Sequence, residues 1–315
     1  MRAIQQQEWG GPETLQLVET EQPQPGPGEV LVRVVAAGAN PVDHYTRRGM
    51  AYNRVLTLPY IQGWDAAGTV AEVGYGVTRF RPGDRVFGMP WFPREAGAYA
   101  EYLTAPARHF ARMPEELGFA EAAALPLAGL TAWQMLVEVA QVAEGDRVLI
   151  AGAAGGVGHL AVQIAKSRGA YVIGTARAAK HAFLRELGAD ETVDYSVADV
   201  ATEVRDADVV IQMFGGEPGL RALESLRPGG ILVNGQAAWT PGLQERAAEL
   251  GVRASGYLVD PDGAGLEALA DLVRAGQLRV HVDRELPLAE AAKAHQLMEE
   301  GGVTGKIVLN VAESA

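Results

Sequence analysis

Apolar positions along the chain follow two different periods. In the first third they form short, β-branched runs: residues 29–37 (EVLVRVVAA), closed by Gly38, then 69–73 and 84–87. Glycine-containing turns such as 80–84 (FRPGD) separate them, and the pattern predicts strands. The approach through 22–28 (QPQPGPG) is a loop, because proline cannot sit in a central strand. Few helical periods interrupt these runs, so the region predicts a small barrel or sandwich. The character changes near residues 121–135. Predicted strands at 147–151, 170–175, 207–212, 231–234 and 252–256 then alternate with helical stretches, including 157–167 and 180–187. That alternation predicts crossover units and a parallel sheet covered on both faces. Beyond Asp260 the alternation stops: 266–275 and 288–299 read as helices, and 306–311 as a closing strand.

Length and composition narrow the function. At 315 residues the chain exceeds the size at which single cores stop growing, roughly 250–300 residues, so two domains are expected. No repeat of 20–50 residues is visible. The net charge of −12 argues against a nucleic-acid partner, which needs a basic footprint. No apolar run reaches about 18 residues, and no secretory pattern opens the chain, so a cytoplasmic protein without membrane contact is expected. With no cysteine, a disulfide framework, a thiolate nucleophile and a Cys-ligated metal are all excluded.

The sharpest local signal is 148–158 (VLIAGAAGGVG), an apolar strand running into Gly152, Ala154, Gly155, Gly156, Val157 and Gly158 before a helix. Glycines there permit a tight turn and close approach of a pyrophosphate to the helix N-terminus. The spacing departs from strict G-x-G-x-x-G, and alone it would also suit a plain strand–helix turn; its place at the head of an alternating β/α region favours a dinucleotide. An NAD site would carry Asp or Glu roughly 20 residues on. Here the next strand ends Thr175-Ala176-Arg177, with Lys180 beyond and no acid before Glu186. Cations at that point suit a 2′-phosphate and predict NADPH, unless Arg177 and Lys180 only decorate an exposed helix start.

Taken in order, Trp9–Glu13 (WGGPE), 25–30 (PGPGEV), Asn40-Pro41-Val42-Asp43, 63–70 (GWDAAGTV), 81–88 (RPGDRVFG), 125–132 (LPLAGLTA), the glycine loop, 187–190 (LGAD) and 305–309 (GKIVL) form a set. The set resembles the zinc-independent quinone oxidoreductases, the zeta-crystallin-like branch of the medium-chain dehydrogenases/reductases, over essentially the whole chain. The resemblance implies an α/β fold, a Rossmann doubly wound parallel sheet plus a GroES-like β-barrel. It places a discontinuous GroES-like domain at 1–120 and 259–315 and an NADPH-binding Rossmann domain at 121–258. Zinc-bearing members of the superfamily have a cysteine where Asn40 stands and a histidine where Trp64 stands, and their structural-zinc loop has no counterpart. His44, His109 and His159 show no ligand spacing and read as surface or hydrogen-bonding residues, so no metal is expected.

The implied reaction is hydride transfer from NADPH to a quinone or α,β-unsaturated carbonyl compound, with neutral donors at the acceptor oxygen. Asn40, Tyr45 and Tyr52 are the catalytic candidates; a turn-initiating Asn and half-buried packing tyrosines are the plainer readings. Asp43 reads as structural. For the cofactor the resemblance adds Asn40, Thr131, Tyr195, Phe214, Gly215, Asn234 and Gly235. It also adds Lys306, for which an exposed lysine is the alternative. A homodimer through the edge of the Rossmann sheet is a further implication. Competing readings are an enoyl or alkenal reductase of the same branch and a non-enzymatic NADPH-binding protein.

Overall fold

The computed structural model describes residues 1–312. Two compact units emerge. One comprises Met1–Leu130, Asp260–Gly276 and the described residues from Val280 onward; the other comprises Thr131–Val259 and Gln277–Arg279.

The first unit opens with β1 (Arg2–Gln6), β2 (Leu15–Glu19), β3 (Glu29–Ala39), helix α1 (Pro41–Arg47), β4 (Tyr60–Ile61), β5 (Asp65–Val73), β6 (Arg85–Gly88), β7 (Tyr102–Pro106) and β8 (Phe110–Arg112). Strand β3 is buried along nearly its whole length, which explains why its sequence is a continuous apolar run rather than an alternating one. It pairs antiparallel with β5 and β7, and α2 (Phe119–Ala124) packs against it. Because α2 packs there, the first unit reaches Leu130. Gly38 is the residue that permits this approach: a Cβ at that position would overlap the Ala123 carbonyl and come within 2.9 Å of an Asp65 oxygen.

Helix α3 (Pro126–Trp133) carries the chain from the first unit, which ends at Leu130, into the second and runs into a π-helical turn at Gln134–Val139 that the residue pattern does not predict. Strands β9 (Arg147–Ile150), β10 (Tyr171–Thr175), β11 (Glu191–Val193), β12 (Ala207–Gln212), β13 (Leu226–Asn234) and β14 (Arg253–Gly256) form one parallel sheet in the order β11-β10-β9-β12-β13-β14. The order reverses at β9, between β10 and β12, and ligands of such sheets bind at the strand C-termini of that switch point. Helices α4 (Gly156–Ser167), α5 (His181–Glu186), α6 (Val200–Glu203), α7 (Gly216–Arg221) and α8 (Leu243–Leu250) complete the doubly wound unit.

The chain then returns to the first unit. Helix α9 (Gly263–Arg274) is capped by Asp262, whose carboxylate accepts from the backbone N–H of Ala264 and Gly265 at 2.9 and 2.7 Å. Strand β15 (Val282–Pro287), helix α10 (Ala291–Glu300) and β16 (Lys306–Asn310) follow. β16 lies antiparallel to β3 and parallel to β15, extending one sheet in the order β15-β16-β3-β5-β6-β8. The α/β architecture, a Rossmann doubly wound parallel sheet with a GroES-like barrel, is thus in place. No helix of the described chain is long and apolar enough to cross a membrane.

Candidate active site

Asn40 sits in extended conformation at the N-cap of α1, followed by Pro41, whose ring suits the first helical position. The Asp43 carboxylate reaches back and accepts from the Asn40 backbone N–H at 2.7 Å, half of a capping box. The Asn40 side chain makes no cap hydrogen bond and is used elsewhere. Its Nδ2 donates to Asp65 Oδ2 at 2.9 Å, and its Oδ1 accepts from Lys306 Nζ. The ammonium also pairs with Asp65 Oδ2 at 3.3 Å, and Asp65 Oδ1 accepts from the Leu127 backbone N–H at 2.7 Å. All three side chains are buried. Lys306 is therefore not an exposed lysine: β16 carries it inward beside β3, where a charge requires a partner and Asp65 supplies one.

Asp43 lies beneath this group. Its Oδ2 also accepts from the Tyr99 hydroxyl at 3.0 Å, while Oδ1 has no hydrogen-bond partner. Burial pushes its carboxyl up to about 7, against the lowering effect of the Asn40 N–H. The Tyr99 ring sits against Gly63, which has φ +92; a Cβ there would run into the ring. Arg47 on α1 is buried and donates to Glu299 of α10, with His295 Nδ1 3.4 Å away. His44 Nδ1 lies 3.7 Å from Glu299. Burial holds His44 down to about 4 and His295 well below its ordinary value, so both are neutral at pH 7.

None of the three histidines weighed as metal ligands lies on the surface. His109 Nδ1 accepts from the Trp91 N–H at 3.2 Å, and the fully buried His159 places Nδ1 2.9 Å from the Gly155 carbonyl. Trp64 is buried, its indole donating to the Arg94 carbonyl at 2.7 Å. Among the described residues no group of three His, Cys, Asp or Glu is disposed to hold a metal. Of the tyrosines, Tyr45 packs its ring at a tilt against His44, centroids 4.3 Å apart. Tyr52 is half-buried and has φ 53, a left-handed conformation that costs a bulky residue about 1–3 kcal/mol. Edge-on contacts with Trp64 and Phe92, centroids 6.3 and 5.3 Å away, hold it there.

In the second unit the glycine loop turns from β9 into α4. Gly152 adopts φ +62, and its N–H donates to Thr175 Oγ1 at 3.1 Å. A Cβ on Gly158 would lie 2.6 Å from the Ala153 Cα, so glycine is required for helix and loop to pack. Gly155 caps α4 without a side chain, leaving the N–H groups of Gly156, Val157 and Gly158 at a bare helix N-terminus. Beside the loop lies a cavity of about 550 Å³ lined by Gly152, Thr175, Tyr195, Gln212, Phe214 and Arg221 among others. Its size suits the 300–1,000 Å³ range of ligand pockets, and the loop and cavity together fit a dinucleotide.

The structure gathers Gly152, Thr175, Tyr195 and Phe214 at this cavity; Ala154 is buried in the turn beside it. Arg177 is exposed and Lys180 half-buried, and neither is part of the cavity wall. Gly215 caps α7, its N–H donating to Gln236 Oε1 at 3.0 Å, and the Gly235 N–H donates to the Gln212 carbonyl at 3.0 Å. Asn234 is buried and spends its amide on the Gln236 N–H and the Thr240 hydroxyl. Thr131 is buried in α3. The cavity also includes Asp199 and Arg221, an ion pair across α6 and α7 that the residue pattern does not single out.

Two family profiles match the sequence, one described as a zinc-binding dehydrogenase over residues 187–309, the other as an alcohol dehydrogenase GroES-like domain over residues 26–115. The 2-haloacrylate reductase of a Burkholderia species is 36% identical over 322 residues, spanning 95% of this chain and 96% of that protein. The solved quinone oxidoreductase of Coxiella burnetii matches with a TM-score of 0.93 and 38% identity, covering 99% of each chain. The chain belongs to the quinone oxidoreductase family of the medium-chain dehydrogenases/reductases. The Escherichia coli quinone oxidoreductase, solved in complex with NADPH, is 29% identical with a TM-score of 0.89, over 98% of this chain and 100% of that one.

This oxidoreductase, then, is an NAD(P)H-dependent member of its family. Sequence reasoning found Asn40 and Lys306 but not Asp65, which joins them. Asp65 follows Trp64 and heads β5, so an acid opening an otherwise apolar strand was the available signal.

Proposed function

We propose that the oxidoreductase uses NADPH to reduce quinones or similarly electron-poor α,β-unsaturated carbonyl compounds without zinc. The observation that carries this reading is Asn40, a neutral amide fixed between Lys306 and Asp65 at the position where zinc-bearing members of the superfamily place a cysteine. With no cysteine in the chain and an indole at Trp64, a zinc ligand set is absent from both positions.

When bound, NADPH supplies the hydride. The protein's part is to bind it and to stabilise the charge that develops on the acceptor oxygen. The glycine loop and the open N-terminus of α4 would hold the pyrophosphate, Tyr195 on the cavity wall would lie toward the adenine, and Phe214 would border the central cleft. Arg177 and Lys180, beyond β10, would meet the 2′-phosphate; no acid stands at the end of that strand to select the ribose diol instead. On the acceptor side the Asn40 Nδ2 has one N–H on Asp65, while its other approach, to the Gly38 carbonyl at 3.5 Å, is too long to satisfy a donor. That N–H and the Tyr52 hydroxyl are the donors for the acceptor oxygen.

The test is steady-state kinetics with both cofactors and a panel of quinones and 2-haloacrylate. NADPH should be preferred, and Arg177→Ala should raise its KM about 10- to 100-fold, as expected for a charged hydrogen bond worth roughly 1.5–3 kcal/mol. Equal use of NADH by the unaltered protein would overturn the cofactor assignment. Stoichiometric, tightly held zinc would overturn the metal-free reading. Similarity to a 2-haloacrylate reductase favours a second reading, reduction of a halogenated alkene acid, on the same residues. A cytoplasmic homodimer paired through the open edge of β14 completes the proposal; sedimentation at the monomer mass would remove its last part.

A further inference from the structure

The Asn40 carboxamide has two chemically distinct ends, and its surroundings allow one orientation. Lys306 can only donate and the Asp65 carboxylate can only accept. Turning the amide over would set its NH₂ against an ammonium and its oxygen against a carboxylate, two repulsions in a buried place. The pair is costly to bury, and its position on both ends of one amide gives that cost a use.

We infer that Lys306 and Asp65 act as a positioning pair that orients and polarises the buried Asn40 amide, so that the N–H not held by Asp65 is a strong, fixed donor to the acceptor oxygen. A hydrogen bond from an ammonium to Oδ1 draws electron density from the amide nitrogen and makes the remaining N–H more acidic, since linked hydrogen bonds polarise one another. Asp65 occupies the other N–H and is itself anchored by the Leu127 backbone, which stops the amide from rotating. Lys306 thereby acts on the reaction through Asn40 and not by contact with the cofactor. The pair spans β5 and β16, so two distant segments of the first unit set the donor between them. This inference rests on Asn40 as the donor named above.

The experiment is a mutant cycle read by quinone turnover, NADPH KM and melting temperature. Asn40→Ala should lower kcat about 100-fold, the effect of removing one preorganised donor. Lys306→Met should lower kcat about 10-fold with NADPH KM unchanged, and the double variant should lose no more than Asn40→Ala alone. Losses that multiply, or a raised NADPH KM in Lys306→Met, would overturn the pair's action through Asn40 while leaving Asn40 as donor. No loss in Asn40→Ala would instead remove the donor reading itself. Because a single charge left buried can prevent folding, the neutral pair Asp65→Asn with Lys306→Met serves as the second variant. It should fold and melt near the unaltered protein yet stay about 10-fold slow; full turnover there would show that the pair only supports the fold.

Discussion

At Asp43 a carboxyl is held where its charge is poorly solvated, and its pKa rises from 3.8 to about 7. A carboxyl with a raised folded-state pKa binds its proton more tightly in the native protein than in the unfolded chain. Its contribution is therefore present below pH 3.8 and is lost as pH climbs toward 7. Asp43→Asn keeps an oxygen for the Asn40 N–H and Tyr99 but removes the ionisation. The variant should gain more melting temperature relative to the unaltered protein at pH 8 than at pH 5; scanning calorimetry at both values measures the difference, and an equal shift at both would reject it. Tyr52 offers a second test at this scale. Burial raises its pKa, so it keeps its proton as a donor, and Tyr52→Phe retains the ring contacts with Trp64 and Phe92. Turnover should fall about 10-fold, within the usual effect of a lost catalytic donor, while NADPH KM stays unchanged. Unaltered kinetics across several quinones would take Tyr52 off the site.

Among the elements, the strands whose burial is two-sided were plain in the sequence: β3, β9 and β12 are continuous apolar runs, and the structure finds them within two residues of where the pattern ends them. β15 was not legible, because VDRELP alternates charges at a sheet edge and carries no core signal. β11 is three residues long and half-polar. The glycine loop was legible because its chemistry is local, all within one turn. The Asn40–Asp65–Lys306 group was legible only in part, since nothing in a linear pattern says that three polar residues in separate strands and caps share one buried point. For the loop, Gly158→Val places side-chain atoms against Ala153 and pushes α4 away from β9. Binding of NADPH, followed by fluorescence titration, should weaken at least about 10-fold; retention of full affinity would mean that the loop does not seat the pyrophosphate.

For the molecule as a whole, the buried histidines set the acid limit. His44 and His109 are lowered to about 4 and His295 falls well below 6.5, in each case chiefly because burial disfavours the charged ring. A histidine whose folded pKa is depressed stabilises the protein above its unfolded value, and that contribution is lost as pH falls from 6.5 toward 4. Asp43, Asp65 and Glu95, whose carboxyls burial raises, gain stability as pH falls and offset part of these three losses, so the melting temperature should drop below pH 6. His295→Gln should flatten that drop; an unchanged acid profile would show that other groups govern it.

The pairing of β16 with β3 has a consequence for how the chain is made. Lys306 meets Asn40 across 266 residues of sequence. At a synthesis rate of about 5–20 residues per second, the ribosome delivers the lysine roughly 10 to 50 s after the asparagine. Until then the Ala36–Ala39 end of β3 lacks its partner strand and Asp65 its cation, whereas every strand of the second unit is made by Gly256. The nascent chain should therefore gain its nucleotide pocket before it gains the Asn40–Asp65–Lys306 group.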